Sequence, residues 1–104
     1  MHEVVNMVSF LVVIAGRKQK KELLKAISEN GGRALHIEYG RGSVKASYIQ
    51  DAFGFVPEEK KVVISCLLSN RRTDQMLKML AEQFDFNKPN TGIAFTVPVN
   101  KLAF

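Results

Sequence analysis

The stretch Val8-Ser9-Phe10-Leu11-Val12-Val13-Ile14 decides the fold, because it is almost entirely apolar and rich in β-branched residues. Such a run, closed by Gly16, is typical of a central strand that is covered on both faces. A second run of the same character, Lys61 to Leu68, predicts another central strand. The chain is therefore expected to build a sheet around two largely apolar strands.

An amphipathic segment follows each of these strands. Between Lys18 and Asn30 the apolar residues share one stripe of a predicted helix, and Gly31-Gly32 provides the left-handed stop that often ends a helix. A second helix is predicted after a turn at Asn70 to Thr73. The residues assigned to the two stripes are Leu23, Leu24 and Ile27 in the first helix and Met76, Leu77, Leu80 and Phe84 in the second.

Two further strands complete the predicted sheet. Ala34 to Tyr39 alternates apolar residues with His36 and Glu38, which is the pattern of a strand with one solvated face. Gly92 to Val99 is also predicted to be a strand, and Pro98 indicates that this strand lies at an edge or ends there. The order βαβ, loop, βαβ predicts an α+β, ferredoxin-like sandwich in which an antiparallel sheet carries two helices on one face. Residues 1–104 are expected to form a single domain.

The predicted sheet has one face that the helices cannot cover. The first and third strands are apolar on both faces, and in the last strand Ile93, Phe95, Val97 and Val99 share one face. A contiguous apolar surface of that kind is unusual on a soluble monomer. Packing of the sheets against one another in a closed oligomer is therefore expected.

Charge and cysteine content limit the classes of function. A net charge of +5 and a pI near 9.6 favour anionic partners of some kind. Cys66 is the single cysteine, so no disulfide forms within the chain and a reducing compartment is expected. The apolar stretch from Met7 to Ala15 is too short for a membrane span and lacks the flanks of a signal peptide. These features predict a cytoplasmic protein without a membrane span.

Residues 40–58 form a long connection without clear periodicity, and such connections are often functional. Gly40 and Gly42 at its start can adopt positive φ and bring backbone N–H groups close to a ligand, while donors from residues 87–92 would add to an anion site. The alternative is a plain pair of turns. Three aromatic residues in this connection suggest either a partner-binding tip or packing on a neighbouring subunit; they are Tyr48, Phe53 and Phe55.

The order and spacing of these motifs resemble the PII family of nitrogen and carbon signal-transduction proteins, in particular its divergent PII-like members. Glu38-Tyr39-Gly40-Arg41-Gly42 is similar to the opening of the T-loop, Phe55-Val56-Pro57 to its close, and the segment from Lys88 to Val99 to the B-loop and following strand. The resemblance implies a homotrimer that binds adenine nucleotides at clefts between subunits. It also implies that the T-loop engages a regulated protein such as a transporter or an enzyme.

The resemblance assigns a set of ligand-binding residues. They are Gly40, Arg41 and Gly42 at the base of the loop, Lys60 and Lys61 after its closing proline, and Asn87, Lys88, Asn90, Thr91 and Gly92 in the B-loop. The chain departs from the family at Ile93, because typical B-loops carry Gly-Asp-Gly-Lys where this chain has Asn90-Thr91-Gly92-Ile93. No tightly bound cofactor is expected, and an adenine nucleotide is the expected effector.

Other interpretations of the sequence remain open. The basic stretch of Arg17, Lys18, Lys20, Lys21 and Lys25 would suit a nucleic-acid-binding module, although such a helix face is more often simply solvated and few aromatic residues are available to stack on bases. A structural trimer with a decayed ligand site is a further alternative. His2, His36 and Cys66 do not have metal-ligand spacing, and no nucleophile and base are paired, so neither a metal site nor an enzyme is expected.

Overall fold

The computed structural model describes residues 2–41, 60–88 and 91–103. Within them the chain forms a four-stranded antiparallel sheet with the strand order β2-β3-β1-β4 and two α-helices, each preceded by a short 3-10 turn. The α+β, ferredoxin-like architecture is confirmed. The elements are β1 (His2–Gly16), α1 (Lys20–Glu29), β2 (Arg33–Arg41), β3 (Lys60–Ser69), α2 (Thr73–Gln83) and β4 (Gly92–Leu102).

The hydrophobic core lies between the helices and one face of the sheet. Alternate residues of β1 and β3 point into it, which places Leu11 opposite Cys66 and Val13 opposite Ile64. The second helix stripe is centred on Met76, Met79 and Leu80, whereas Leu77 and Phe84 are only partly buried. The full set of buried apolar residues is Leu11, Val13, Ala15, Leu23, Ile27, Val62, Ile64, Cys66, Leu68, Met76, Met79 and Leu80.

Helix α1 ends as the Gly31-Gly32 pair predicts. Gly31 has a φ of +101°, its N–H donates to Ser28 O at 3.3 Å, and the N–H of Gly32 donates to Ile27 O at 2.9 Å. These two hydrogen bonds form the Schellman arrangement, in which a residue with positive φ satisfies the last carbonyls of a helix. The turn returns the chain so that β2 runs beside β3.

The face of the sheet opposite the helices is apolar and open. The register places Phe10 between Leu67 and Val97, and Val12 between Ser65 and Phe95. Phe10 is 38% exposed, Phe95 42% and Val97 48%. We call this surface the open face; it comprises Val8, Phe10, Val12 and Ile14 of β1, Val63 and Leu67 of β3, and Ile93, Phe95, Val97 and Val99 of β4. On β2, the exposed pair of His36 and Glu38 forms its polar border, with 3.0 Å between Nε2 and Oε1.

The strands extend further than their apolar runs predict. β1 begins at His2, and β4 continues to Leu102. The extensions pair with each other, since His2 lies opposite Leu102, and the register shifts between Glu3 and Val8. β4 lies at the edge of the sheet, as Pro98 predicts, because an edge strand tolerates a residue without a backbone N–H.

Candidate functional site

The two segments predicted to form the ligand site meet at one end of the sheet. Gly40 at the end of β2 pairs with Lys61 at the start of β3, and Lys61 pairs on its other side with Gly16. The neighbouring residue of β1, Ala15, pairs with Gly92, the first residue of β4. The base of the long connection and the turn before β4 are therefore separated only by the end of β1.

Part of the predicted site lies outside the described residues. Gly42, Tyr48, Phe53, Phe55 and Asn90 belong to this part, and only the backbone of Arg41 is described. Arg41 ends β2 and pairs with Lys60, which is exposed. The ligand-binding and partner-binding roles of these residues remain predictions.

Lys61 is a buried lysine at the centre of this end of the sheet, with 5% of its surface exposed. It is flanked by Gly16 and Gly40 on the two neighbouring strands, and all three residues belong to the open face by register. Among the described residues, no atom lies within 4 Å of a Cβ added to either glycine. The backbone on both sides of the Lys61 position is consequently accessible, which is the arrangement that lets an anion approach main-chain groups.

Gly40 does not have the conformation for which glycine was expected there. It is a strand residue, and among the described glycines only Gly31 has positive φ. The absence of a side chain at Gly40 therefore provides space beside Lys61 and not an unusual backbone conformation.

Arg17 joins the two strands at the base of the connection. Its Nη2 donates to Gly40 O at 3.2 Å and to Lys61 O at 3.3 Å, and its Nε lies 3.4 Å from Lys61 O. The guanidinium carbon also lies 4.8 Å from the centre of the Tyr39 ring, and Lys20 Nζ donates to Tyr39 Oη at 2.7 Å. A cation in this position stabilises both the paired carbonyls and the aromatic ring.

Sequence reasoning missed the role of Arg17, because it grouped this residue with the solvated lysines of α1. The position directly after Gly16 could have revealed it. A residue that follows the last residue of a central strand lies at the same end of the sheet as the first residues of its antiparallel neighbours. Arg17 is thus within reach of carbonyls that a residue further along α1 could not contact.

Replacing Arg17 with glutamine is expected to lower the free energy of unfolding by about 1–2 kcal/mol, because part-buried hydrogen bonds and a cation–π contact are lost together. Urea denaturation of the wild type and the variant would measure the change. Lys18→Gln is the matched control, since Lys18 is an exposed neighbour and its replacement removes the same charge. Equal stability of both variants would contradict the role of Arg17 at the base.

The turn before β4 is held by its own side chains. Lys88 N donates to Asp85 O at 2.9 Å, and Thr91 Oγ1 lies 2.5 Å from Asp85 O and 2.9 Å from Lys88 O. The Lys88 ammonium is 3.5 Å from Asp85 Oδ1 in an exposed ion pair. Two donors assigned to the ligand by resemblance are therefore engaged within the turn, and Asn87 is exposed beside them.

Gly92 is required by packing at the end of this turn. A Cβ at this position would lie 2.5 Å from Cζ and 2.8 Å from Cδ1 of Phe86, and would also collide with Cε1. The ring of Phe86 is half-buried against the core. Gly92 therefore allows the turn to close over the start of β4.

The charges and the space at this end of the sheet suit the predicted anion site. Lys61, Lys60 and Arg17 supply positive charge, and the glycine backbone supplies space.

The described residues include no group of three or more His, Cys, Asp and Glu placed to hold a metal ion. Burial raises the pKa of the Cys66 thiol, but Cys66 lies in the core between β3 and the helices. Neither helix in the described part of the chain is long and apolar enough to cross a membrane.

Comparison with solved structures identifies the fold. A PII-like signalling protein from Thermus thermophilus matches with a TM-score of 0.65 and 16% identity over 88% of this chain and 85% of that chain. CPII from Thiomonas intermedia, bound to ADP, AMP and acetate, matches with a TM-score of 0.65 and 14% identity over 94% and 93%. PII from Arabidopsis thaliana, bound to citrate, matches with a TM-score of 0.65 and 16% identity over 91% and 79%.

The fold is therefore that of the PII and PII-like signalling proteins, and the fold expected from the sequence resemblance is confirmed. The similarity lies in three-dimensional structure at low sequence identity. By sequence, the chain matches no protein-family model and no curated protein.

Proposed function

We propose that this chain is a divergent PII-like regulatory protein that binds a small anionic effector, an adenine nucleotide, at clefts between the subunits of a homotrimer. Effector binding changes the conformation of residues 40–58, which regulate a partner protein. The observation that carries the proposal is that the loop base and the B-loop turn lie at the same end of the sheet, separated by the end of β1, on a fold shared with a CPII structure that contains ADP and AMP.

The open face supports the proposal of an oligomer, which the family resemblance implies to be a trimer. Apolar residues of three strands are contiguous on this face, and exposed apolar surface of that extent favours association. A closed ring of subunits buries the same patch on each copy. Because Lys61 and its flanking glycines lie on this face at the loop end, association would bring a neighbouring subunit close to the candidate site.

The cations of the site affect which nucleotide binds best. Ile93 stands where typical PII B-loops have a lysine, and the charge of Lys88 is partly neutralised by Asp85. The B-loop turn therefore offers little positive charge to a terminal phosphate, and the positive charge at the loop base comes from Lys60, Lys61 and Arg17. We expect ADP and AMP to bind at least as tightly as ATP.

Calorimetric titration of ATP, ADP, AMP and cyclic AMP tests the proposal, using protein whose mass has been determined by light scattering. Saturable binding of about one nucleotide per subunit of a trimer is the expected result. A trimer that releases no heat with any of them would favour a structural trimer with a decayed ligand site. The internal hydrogen bonds of Thr91 and the Lys88 ion pair make this the second candidate.

The variant Lys61→Met tests whether the nucleotide binds at the candidate site. It keeps a long side chain and removes the charge, so nucleotide affinity should fall at least about tenfold, as expected for loss of a charged contact. Lys25→Met is the control, because Lys25 is exposed on α1. Unchanged affinity in a trimeric Lys61→Met protein would place the nucleotide elsewhere.

A further inference from the structure

A second candidate site lies at the opposite end of the sheet from the loop. β3 ends at Ser69, whereas β1 and β4 continue as a pair beyond this level until His2 meets Leu102. The projecting ribbon leaves a cleft of about 430 Å³ beside the start of β2, the end of α1 and the turn before α2. We call this cleft the notch.

The turn that ends α1 holds two arginines at the notch. Arg33 Nη1 donates to Gly32 O at 2.9 Å and lies 3.5 Å from Ser28 O. The side chain of Arg72 lies across Gly31, since a Cβ on that glycine would be 2.6 Å from Arg72 Cδ and 3.2 Å from Nε. The Arg33 guanidinium therefore lies at Gly32, and the Arg72 side chain lies at the adjacent Gly31.

The Arg72 guanidinium is available to a ligand. It takes part in none of the hydrogen bonds or ion pairs found among the described residues. Its aliphatic stem lies over Gly31, and the residue as a whole is exposed. Arg33 uses Nη1 within the turn and retains its other nitrogens as donors.

Apolar side chains line the remaining part of the notch. Met7 comes from β1, Leu68 from β3 and Leu102 from β4, while Val8 and Leu67 reach the notch from the open face. Glu29 is the acidic residue of the lining, so the three charged side chains named here, Arg33, Arg72 and Glu29, sum to +1. An apolar cleft with a few convergent polar groups, in this range of volume, is typical of a small-molecule site.

We propose that the notch binds a small amphipathic carboxylate, with its apolar chain against Met7, Leu68 and Leu102 and its carboxylate on Arg72 and Arg33. Guanidinium groups form paired hydrogen bonds with a carboxylate, which gives both affinity and orientation. This site is separate from the proposed nucleotide site, because it lies at the other end of the same strands.

Octanoate is a suitable probe for the full-length chain. In a titration followed by two-dimensional NMR, we expect saturable shifts of the amide signals of Gly31, Gly32 and Leu102. The amide signals of Gly40 and Gly92, at the other end of the sheet, should shift little. Octanamide has the same chain without the charge and should bind at least about tenfold more weakly. Equal binding of the two compounds, or no shift at the notch at millimolar octanoate, would overturn the proposal.

Variants of two neighbouring arginines separate a specific contact from general attraction. Arg72→Gln should weaken octanoate binding at least about tenfold, whereas Arg71→Gln should leave it unchanged, because Arg71 is exposed outside the notch lining. Both variants lose one positive charge. The same loss of affinity in both would overturn the assignment of the carboxylate to Arg72, as would unchanged binding in the folded Arg72→Gln protein.

Discussion

Replacing Phe95 with aspartate is expected to convert the proposed trimer into monomers. Phe95 lies on the open face beside Val12, and in an assembly its position would be enclosed by neighbouring subunits. A carboxylate there would have to be desolvated without a partner, at a cost of several kcal/mol for each subunit. Because the same residue recurs in every copy, the cost is repeated around the ring. Light scattering across a concentration series would measure the change in mass.

The control for this experiment is Tyr39→Asp. Tyr39 is an exposed aromatic residue of β2, but it belongs by register to the other face of the sheet, where it contacts Arg17 and Lys20. It is 53% exposed, so this substitution also removes a solvent-accessible ring and introduces the same charge. The Tyr39→Asp protein should retain the mass of the wild type. A Phe95→Asp protein that also kept the wild-type mass would show that assembly does not use the open face.

The fold could be predicted because its determining signals are local and strong. The apolar run from Val8 to Ile14, the matching run of β3 and the glycine stop after α1 each have one favoured structural outcome. Long-range pairing then followed from the βαβ order. The extensions of β1 and β4 were missed because His2 to Asn6 and Asn100 to Leu102 mix polar with apolar residues and lack a strong strand pattern.

The candidate site was less predictable, since its contacts join residues that are distant in sequence. The resemblance brought Gly40, Lys61 and Gly92 to the same site, but no pattern shows that Arg17 would reach the carbonyls of β2 and β3. The sequence identified the hydrogen-bond donors of the B-loop but not the atoms to which they donate. Thr91 faces Asp85 O and Lys88 O because of how the turn closes, which depends on packing as well as sequence.

Gly92→Ala is expected to lower the free energy of unfolding by about 1–3 kcal/mol, which is the usual cost of inserting a methyl group into a packed site. The new Cβ would occupy the space of the Phe86 ring. That ring packs against the core and lies 6.4 Å from the centre of the Phe84 ring, so moving it disturbs other contacts. The turn from Asp85 to Thr91 would shift with it. Urea denaturation would measure the loss of stability.

Gly40→Ala distinguishes packing from a general effect of replacing glycine at this end of the sheet. Gly40 lies in β2 without positive φ, and an added Cβ would meet no atom of the described residues within 4 Å. The unfolding free energy of the Gly40→Ala protein should remain within about 0.5 kcal/mol of that of the wild type.

A Gly92→Ala protein as stable as the wild type would mean that the Phe86 ring can move at little cost. An unstable Gly40→Ala protein would mean that the space beside Lys61 is not open. The two glycines were assigned to the same ligand site by resemblance, and their opposite responses would show that they are glycine for different physical reasons.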